Sequence, residues 1–110
     1  MIKKMAKLLA YASLAFGCLA AVPAFASQGN VSHRVRGCDW FLVDLPSGFV
    51  LLEWYSGNDP DKGDEVVGKM EAYGMKTIFN ITAEEESRVW IDDFMLSRGR
   101  ALEKLYEKCD

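Results

Sequence analysis

One histidine, His33, is all this sequence offers as a side-chain base that titrates near neutral pH. A Ser-His-Asp or Cys-His centre needs such a base held rigidly within hydrogen-bond reach of a nucleophile. His33 lies in a polar stretch that reads as a flexible arm, so it is expected to be an ordinary surface histidine. Cysteine is scarce too, with three in 110 residues. None forms a C-x-x-C pair, and the spacing fits no zinc site, which argues against thiol-exchange catalysis and structural zinc. The chain also lacks a glycine-rich phosphate loop, an internal repeat, a heptad run and any cluster of Lys and Arg suited to a nucleic-acid backbone.

What is present points to one small domain. The length is too short for a multidomain enzyme. Three Trp, four Tyr and six Phe, with 26% charged residues, give enough apolar surface to bury and exclude a disordered tail.

The N-terminus reads as a secretory signal peptide. Lys3, Lys4 and Lys7 form a positive start, Leu8 to Val22 are almost wholly apolar, and Pro23 breaks the helix. Ala24-Phe25-Ala26 then places small residues where a signal peptidase needs them, so cleavage is expected after Ala26. The apolar stretch, about fifteen residues, is short of the roughly 20 that a membrane span requires. Lipidation at Cys18 is the alternative, but Leu14 stands one place too early for a lipid-attachment pattern. The style of the leader suggests a bacterial protein of the periplasm or the exterior, with no stable membrane insertion after cleavage.

Removal of residues 1–26 leaves ten cations against 16 anions, a formal charge of −6. Nucleic acid and anionic membranes are disfavoured as partners, while a cationic partner is favoured. Two cysteines remain, Cys38 and Cys109, near the two ends of the domain. In an exported chain they read as one disulfide, closing a loop worth about 4 kcal/mol in the chain-entropy account.

Ser27 to Gly37 is polar and reads as a flexible N-terminal arm before a single domain over residues 38–110. Five strand-like runs follow. Trp40–Leu45 and Phe49–Tyr55 flank Pro46-Ser47-Gly48, a hairpin turn with Pro at its second position and Gly left-handed. Asp64–Glu71 and Met75–Thr82 are the third and fourth runs, and Glu84-Glu85-Glu86 reads as a solvated turn. Arg88–Leu96 is the fifth, with a bulge expected at Asp92-Asp93 that returns Phe94 and Leu96 to the inner face. Ser97 is a good N-cap for a closing helix whose stripe of Leu102, Leu105, Tyr106 and Cys109 should face the sheet. The expected class is α+β, mainly β: a five-stranded antiparallel curled sheet or partly open barrel, resembling SH3-like or OB-like barrels in outline, with one C-terminal helix.

Little chemistry emerges. The loop Asn58 to Glu65 is rich in carboxylates, but Pro60, Lys62 and Lys69 occupy places where a calcium-binding EF-hand needs oxygen ligands. Glu53 with Asp92 or Asp93 is a candidate carboxylate pair for a small hydrolase, and so short a chain leaves little room for a sugar-distorting cleft. Asn30-Val31-Ser32 and Asn80-Ile81-Thr82 match the glycosylation pattern, which recurs by chance. Strand alternation sets Val50, Leu52 and Trp54 inward with Val89 and Ile91, leaving Glu53, Tyr55, Arg88, Trp90 and Asp92 outward. Tyr55 and Trp90, flanked by Glu53 and Asp92, therefore form the candidate binding surface, unless the helix covers that face.

The expectation is an exported, non-catalytic binding or interaction module without cofactor or metal, whose partner is a protein, peptide or carbohydrate, with a cationic one suited to the surface. An inhibitor of an exported lysozyme or protease, using the Ser56–Glu65 loop, is the alternative; a small hydrolase is the third.

Overall fold

A computed structural model describes residues 26–110. The expected leader, including Cys18, lies outside the described residues. Six strands come first: β1 (Ser27–Arg34), β2 (Trp40–Leu45), β3 (Gly48–Gly57), β4 (Glu65–Gly68), β5 (Gly74–Asn80) and β6 (Glu85–Leu96). One helix, α1 (Arg98–Cys109), ends the chain. All pairings are antiparallel, in the order β1-β2-β3-β6-β5-β4, and β4 returns to β1 to close a barrel.

The mainly-β class and the closing helix agree with the sequence, but the strand count is six and the barrel is closed. The difference is β1. Residues expected to be a flexible arm pair with β2 through Asn30–Arg34 and with β4 through Ser27–Asn30. Apolar pattern could not show this, because Val31 alone enters the interior cluster from β1. Gly29 is buried instead against the wall, where a Cβ would overlap the Asp44 carbonyl oxygen. Backbone hydrogen bonds, more than side-chain burial, hold the sealing strand.

Two apolar clusters explain the uninterrupted runs Phe41-Leu42-Val43 and Val50-Leu51-Leu52. Phe41, Val43, Val50 and Leu52 fill the barrel interior with Val66, Ile78, Val89 and Ile91. Leu42 and Leu51 point to the outer side, where Ala101 and Leu105 of α1 cover them. These two strands are buried on both faces, so they lose the alternation of a half-exposed strand. The hairpin between them forms as expected, with Leu45 paired to Gly48 and Gly48 at φ +135°. A Cβ on Gly48 would stand 2.9 Å from the Met95 backbone, so the turn packs closely on the end of β6.

The bulge near Asp92-Asp93 is present: Leu52 pairs with Ile91 while the adjacent Leu51 pairs with Asp93. The expected inward return of both Phe94 and Leu96 is not. Met95 takes a left-handed φ of 57°, which breaks the two-residue alternation. Phe94 consequently packs on the barrel interior cluster and Leu96 on the cluster beneath α1.

Ser97 caps α1, its side chain accepting from the Arg100 N–H at 3.2 Å. The helix buries Ala101 and Leu105, with Leu102 and Cys109 at the margin. Tyr106, expected on the same stripe, is 56% exposed. It follows Leu105 by one residue, a rotation of about 100°, and the buried line runs through the small Ala101 instead. No helix among the described residues is long and apolar enough to cross a membrane. The Cys38–Cys109 disulfide is formed, with the two Cα atoms 5.5 Å apart, and fastens the end of α1 beside the start of β2.

A polar clasp adds to these contacts. Glu71 accepts from the Ser27 hydroxyl at 2.6 Å and from the Ser47 hydroxyl, joining the start of β1 to the β2–β3 turn. Both bonds favour the ionised carboxylate and hold its pKa below the usual 4.5. A carboxylate lowered in this way stabilises the fold above its unfolded pKa and loses that contribution as pH falls through the folded one. Glu71→Gln is expected to lower the urea midpoint slightly at neutral pH, since the group is only half-buried, with the gap to wild type closing as pH falls through the folded pKa. A gap that persists in acid would assign the loss to shape rather than charge.

Candidate binding surface

The helix α1 lies on β2 and β3 over Leu42 and Leu51, which leaves the outer face of β6 and β5 and the Glu53–Tyr55 end of β3 beyond it. On this face Tyr55 is 53% exposed, Phe79 40% and Trp90 37%. Register places them. Glu53 on β3 is the Cα partner of Trp40 on β2 and of Trp90 on β6, and Trp90 in turn faces Met75 on β5. One row across four strands therefore reads Trp40, Glu53, Trp90, Met75. Arg88 precedes Trp90 by two residues and flanks the indole along β6, while Asp92 follows it at the bulge, without a Cα partner on β3. Tyr55 lies at a register shift between Trp54 and Ser56.

The structure thus brings Glu53 beside Trp90 by direct pairing, with Tyr55 and Asp92 on the same side of the wall. Trp40, Met75 and Phe79 belong to the same face but were not among the candidates. The outward alternation Met75-Thr77-Phe79 would have given two of them once Ile78 was known to point inward. Lys108 Nζ stands 4.7 Å from the centroid of the Trp40 ring, a cation–π contact made by the last turn of α1. Glu53 and Asp92 have no ion pair among the described residues.

The carboxylate-rich loop has a structural role. Asn80, fully buried, donates through Nδ2 to Asn58 Oδ1 and to Asp64 Oδ2, each at 2.8 Å, while its Oδ1 accepts from the Ala83 N–H at 3.0 Å. The Asn58 carbonyl accepts from Trp54 Nε1 at 2.9 Å and from the Ser87 hydroxyl at 2.6 Å. Asp64 Oδ2 accepts in addition from the Asp61 N–H at 3.0 Å. Backbone bonds between Val31 and both Gly63 and Asp64, at 2.8 Å each, tie the loop to β1. Residues that suggested a calcium loop are holding one end of the barrel. The Asn80 glycosylation pattern is engaged in the fold as well, with Asn80 buried and the exposed Thr82 accepting through Oγ1 from the Glu65 N–H at 2.9 Å.

The remaining candidates are scattered. His33 sits in β1, half-buried, with Nδ1 3.0 Å from Ser32 Oγ. Burial, with the positive charges of Arg98 and Lys62, lowers its pKa from the usual 6.5. Asp93 lies 3.5 Å from Lys104 Nζ and 3.5 Å from the Tyr73 hydroxyl, so it is engaged with other partners. A cleft of about 450 Å³ opens between the β1–β2 turn and the Asn58–Asp64 loop. Its Arg34 pairs with Asp59, donates to the Asp39 carbonyl at 3.3 Å and lies over Phe41 at 4.9 Å. Among the described residues no group of three or more His, Cys, Asp or Glu side chains is placed to hold a metal ion. Compared with known protein families, curated proteins and solved structures, the chain matches none.

Proposed function

We propose that this protein is a non-catalytic binding module that acts in the bacterial periplasm or outside the cell and engages its partner through the outer face of β6 and β5 and the Glu53–Tyr55 end of β3. The observation that carries the reading is Trp90, which stays 37% exposed on a sheet face beside Glu53 with Tyr55 close along the same strand as Glu53. Large aromatics on a rigid wall bind at low entropic cost, because the surface is ordered before the partner arrives. Export is supported by the charged, apolar and small-residue pattern of residues 1–26 and by the Cys38–Cys109 disulfide, a bond that persists in oxidising compartments. Cleavage after Ala26 would leave all of β1 in place.

The test is cross-linking in the native exported fraction, comparing wild type with the Trp90→Ala, Tyr55→Ala double variant. A discrete cross-linked species that disappears in the variant is the expected result. An identical pattern from both proteins would overturn the reading.

A second reading is favoured by a separate observation. The Asn58–Asp64 loop is fixed by Asn80, Ser87, Trp54 and β1, and a loop already held in one shape suits insertion into an enzyme cleft. Assays of lysozymes and proteases with a micromolar excess of the protein decide this: inhibition abolished by changes at Asp61 and Lys62 supports it, and uninhibited enzymes remove it.

A further inference from the structure

We infer that Trp90 is the seat for a lysine or arginine side chain of a basic polypeptide partner, held between the carboxylates of Glu53 and Asp92. This rests on the binding-surface reading above and specifies what that surface accepts. The molecule already contains a filled version of the arrangement. Trp40 and Trp90 are both Cα partners of Glu53, one on each neighbouring strand, so two indoles flank one carboxylate at strand spacings of about 5 Å. On the Trp40 side a cation is in place, with Lys108 Nζ 4.7 Å from the ring centroid. The helix that delivers it is fixed there by Cys109, bonded to Cys38.

On the Trp90 side no cation stands over the ring, the nearest along β6 being Arg88, two residues before it. Among the described residues, no Lys or Arg lies over the Trp90 ring, and neither Glu53 nor Asp92 is paired. An indole face is negative, and a carboxylate on either side adds to the attraction for a positive group. A neutral sugar could stack on the indole, but it would give the two carboxylates nothing to neutralise. Arg88 limits the direction of approach. It lies two residues before Trp90 and repels an incoming cation, whereas the bulge at Asp92 lies beyond Trp90 in the other direction along β6, so the partner's charge enters from that end. Exposed Tyr55 and Phe79 extend the contact beyond one side chain, which suits a polypeptide. The formal charge of −6 over residues 27–110 steers a basic macromolecule toward the protein.

The test is an NMR titration of the disulfide-bonded protein with penta-lysine at low salt, with penta-glutamate and chitopentaose as comparison probes. Penta-lysine is expected to shift the Trp90 indole N–H signal, while penta-glutamate leaves it in place. Trp90→Leu and Glu53→Gln should each weaken penta-lysine binding about tenfold, and Arg88→Gln should tighten it severalfold. Urea midpoints equal to wild type confirm that these outward-facing variants are folded. Penta-lysine that fails to bind, or binds equally to wild type and Glu53→Gln, overturns the cation seat. If chitopentaose then binds in a Trp90-dependent manner, the binding surface stands and only its chemistry is wrong. If no probe and no cross-linked partner depends on Trp90, both fall.

Discussion

Replacing Cys38 and Cys109 together by serine is expected to reduce stability by about 2–4 kcal/mol, read as a lower urea midpoint and melting temperature. The bond joins residues 71 apart in sequence, so it constrains most of the unfolded chain. It also acts locally. The helix has 12 residues and only Ala101 and Leu105 are fully buried, too little for a segment of that length to hold its shape alone. Without the bond α1 should fray from its C-terminal end, exposing Leu42 and Leu51 on the outer wall. Hydrogen exchange accelerated in α1 ahead of the strands is the accompanying sign. A double variant within about 0.5 kcal/mol of wild type would show that packing alone secures the helix.

Asn80→Ala is expected to cost about 3 kcal/mol, because it removes three hydrogen bonds made by a fully buried amide, at roughly 0.5–1.5 kcal/mol each. The Ala83 N–H loses its acceptor, and the side chains of Asn58 and Asp64 each lose a donor at one rim of the barrel. The damage should spread to β1, whose Val31 bonds to the same loop. Asn80→Asp separates shape from hydrogen bonding. It keeps the volume but sets a second carboxylate against Asp64, so it should destabilise strongly at neutral pH and recover part of the loss in acid. Urea unfolding at the two pH values reads both effects. A neutral-pH loss below about 1 kcal/mol for Asn80→Ala would mean that water replaces the amide without penalty.

The hairpin, the bulge, the helix cap and the disulfide were legible because each rests on local chemistry. Pro46-Ser47-Gly48 sets its own turn, Ser97 satisfies a nearby N–H, and two cysteines leave one intramolecular pairing. The sealing strand was not legible. Ser27–Arg34 contributes Val31 to the core and gains the rest of its order from β2 and β4, partners remote in sequence. For the same reason β6 begins at Glu85, where pairing with Asn80 on β5 fixes the backbone of residues read as a solvated turn, while Glu85 and Glu86 keep their side chains in water. The outward placement of Tyr55 and Trp90 followed from alternation, but Glu53 between two tryptophans depends on the register of three strands. Tyr106 was misplaced because a small alanine carried the buried line of the helix, and alanine gives a weak signal in any apolar count.

The position of the disulfide relative to β1 has a mechanical consequence. A pulling force applied between Ser27 and Asp110 would enter at Cys109, cross the sulfur bridge to Cys38 and leave through β1, so the covalent path bypasses residues 39–108. The two seams that β1 makes with β2 and β4 bear the whole load. Under traction the molecule would yield by shedding one strand, and it would keep the remainder of its wall as a sheet with two new edges.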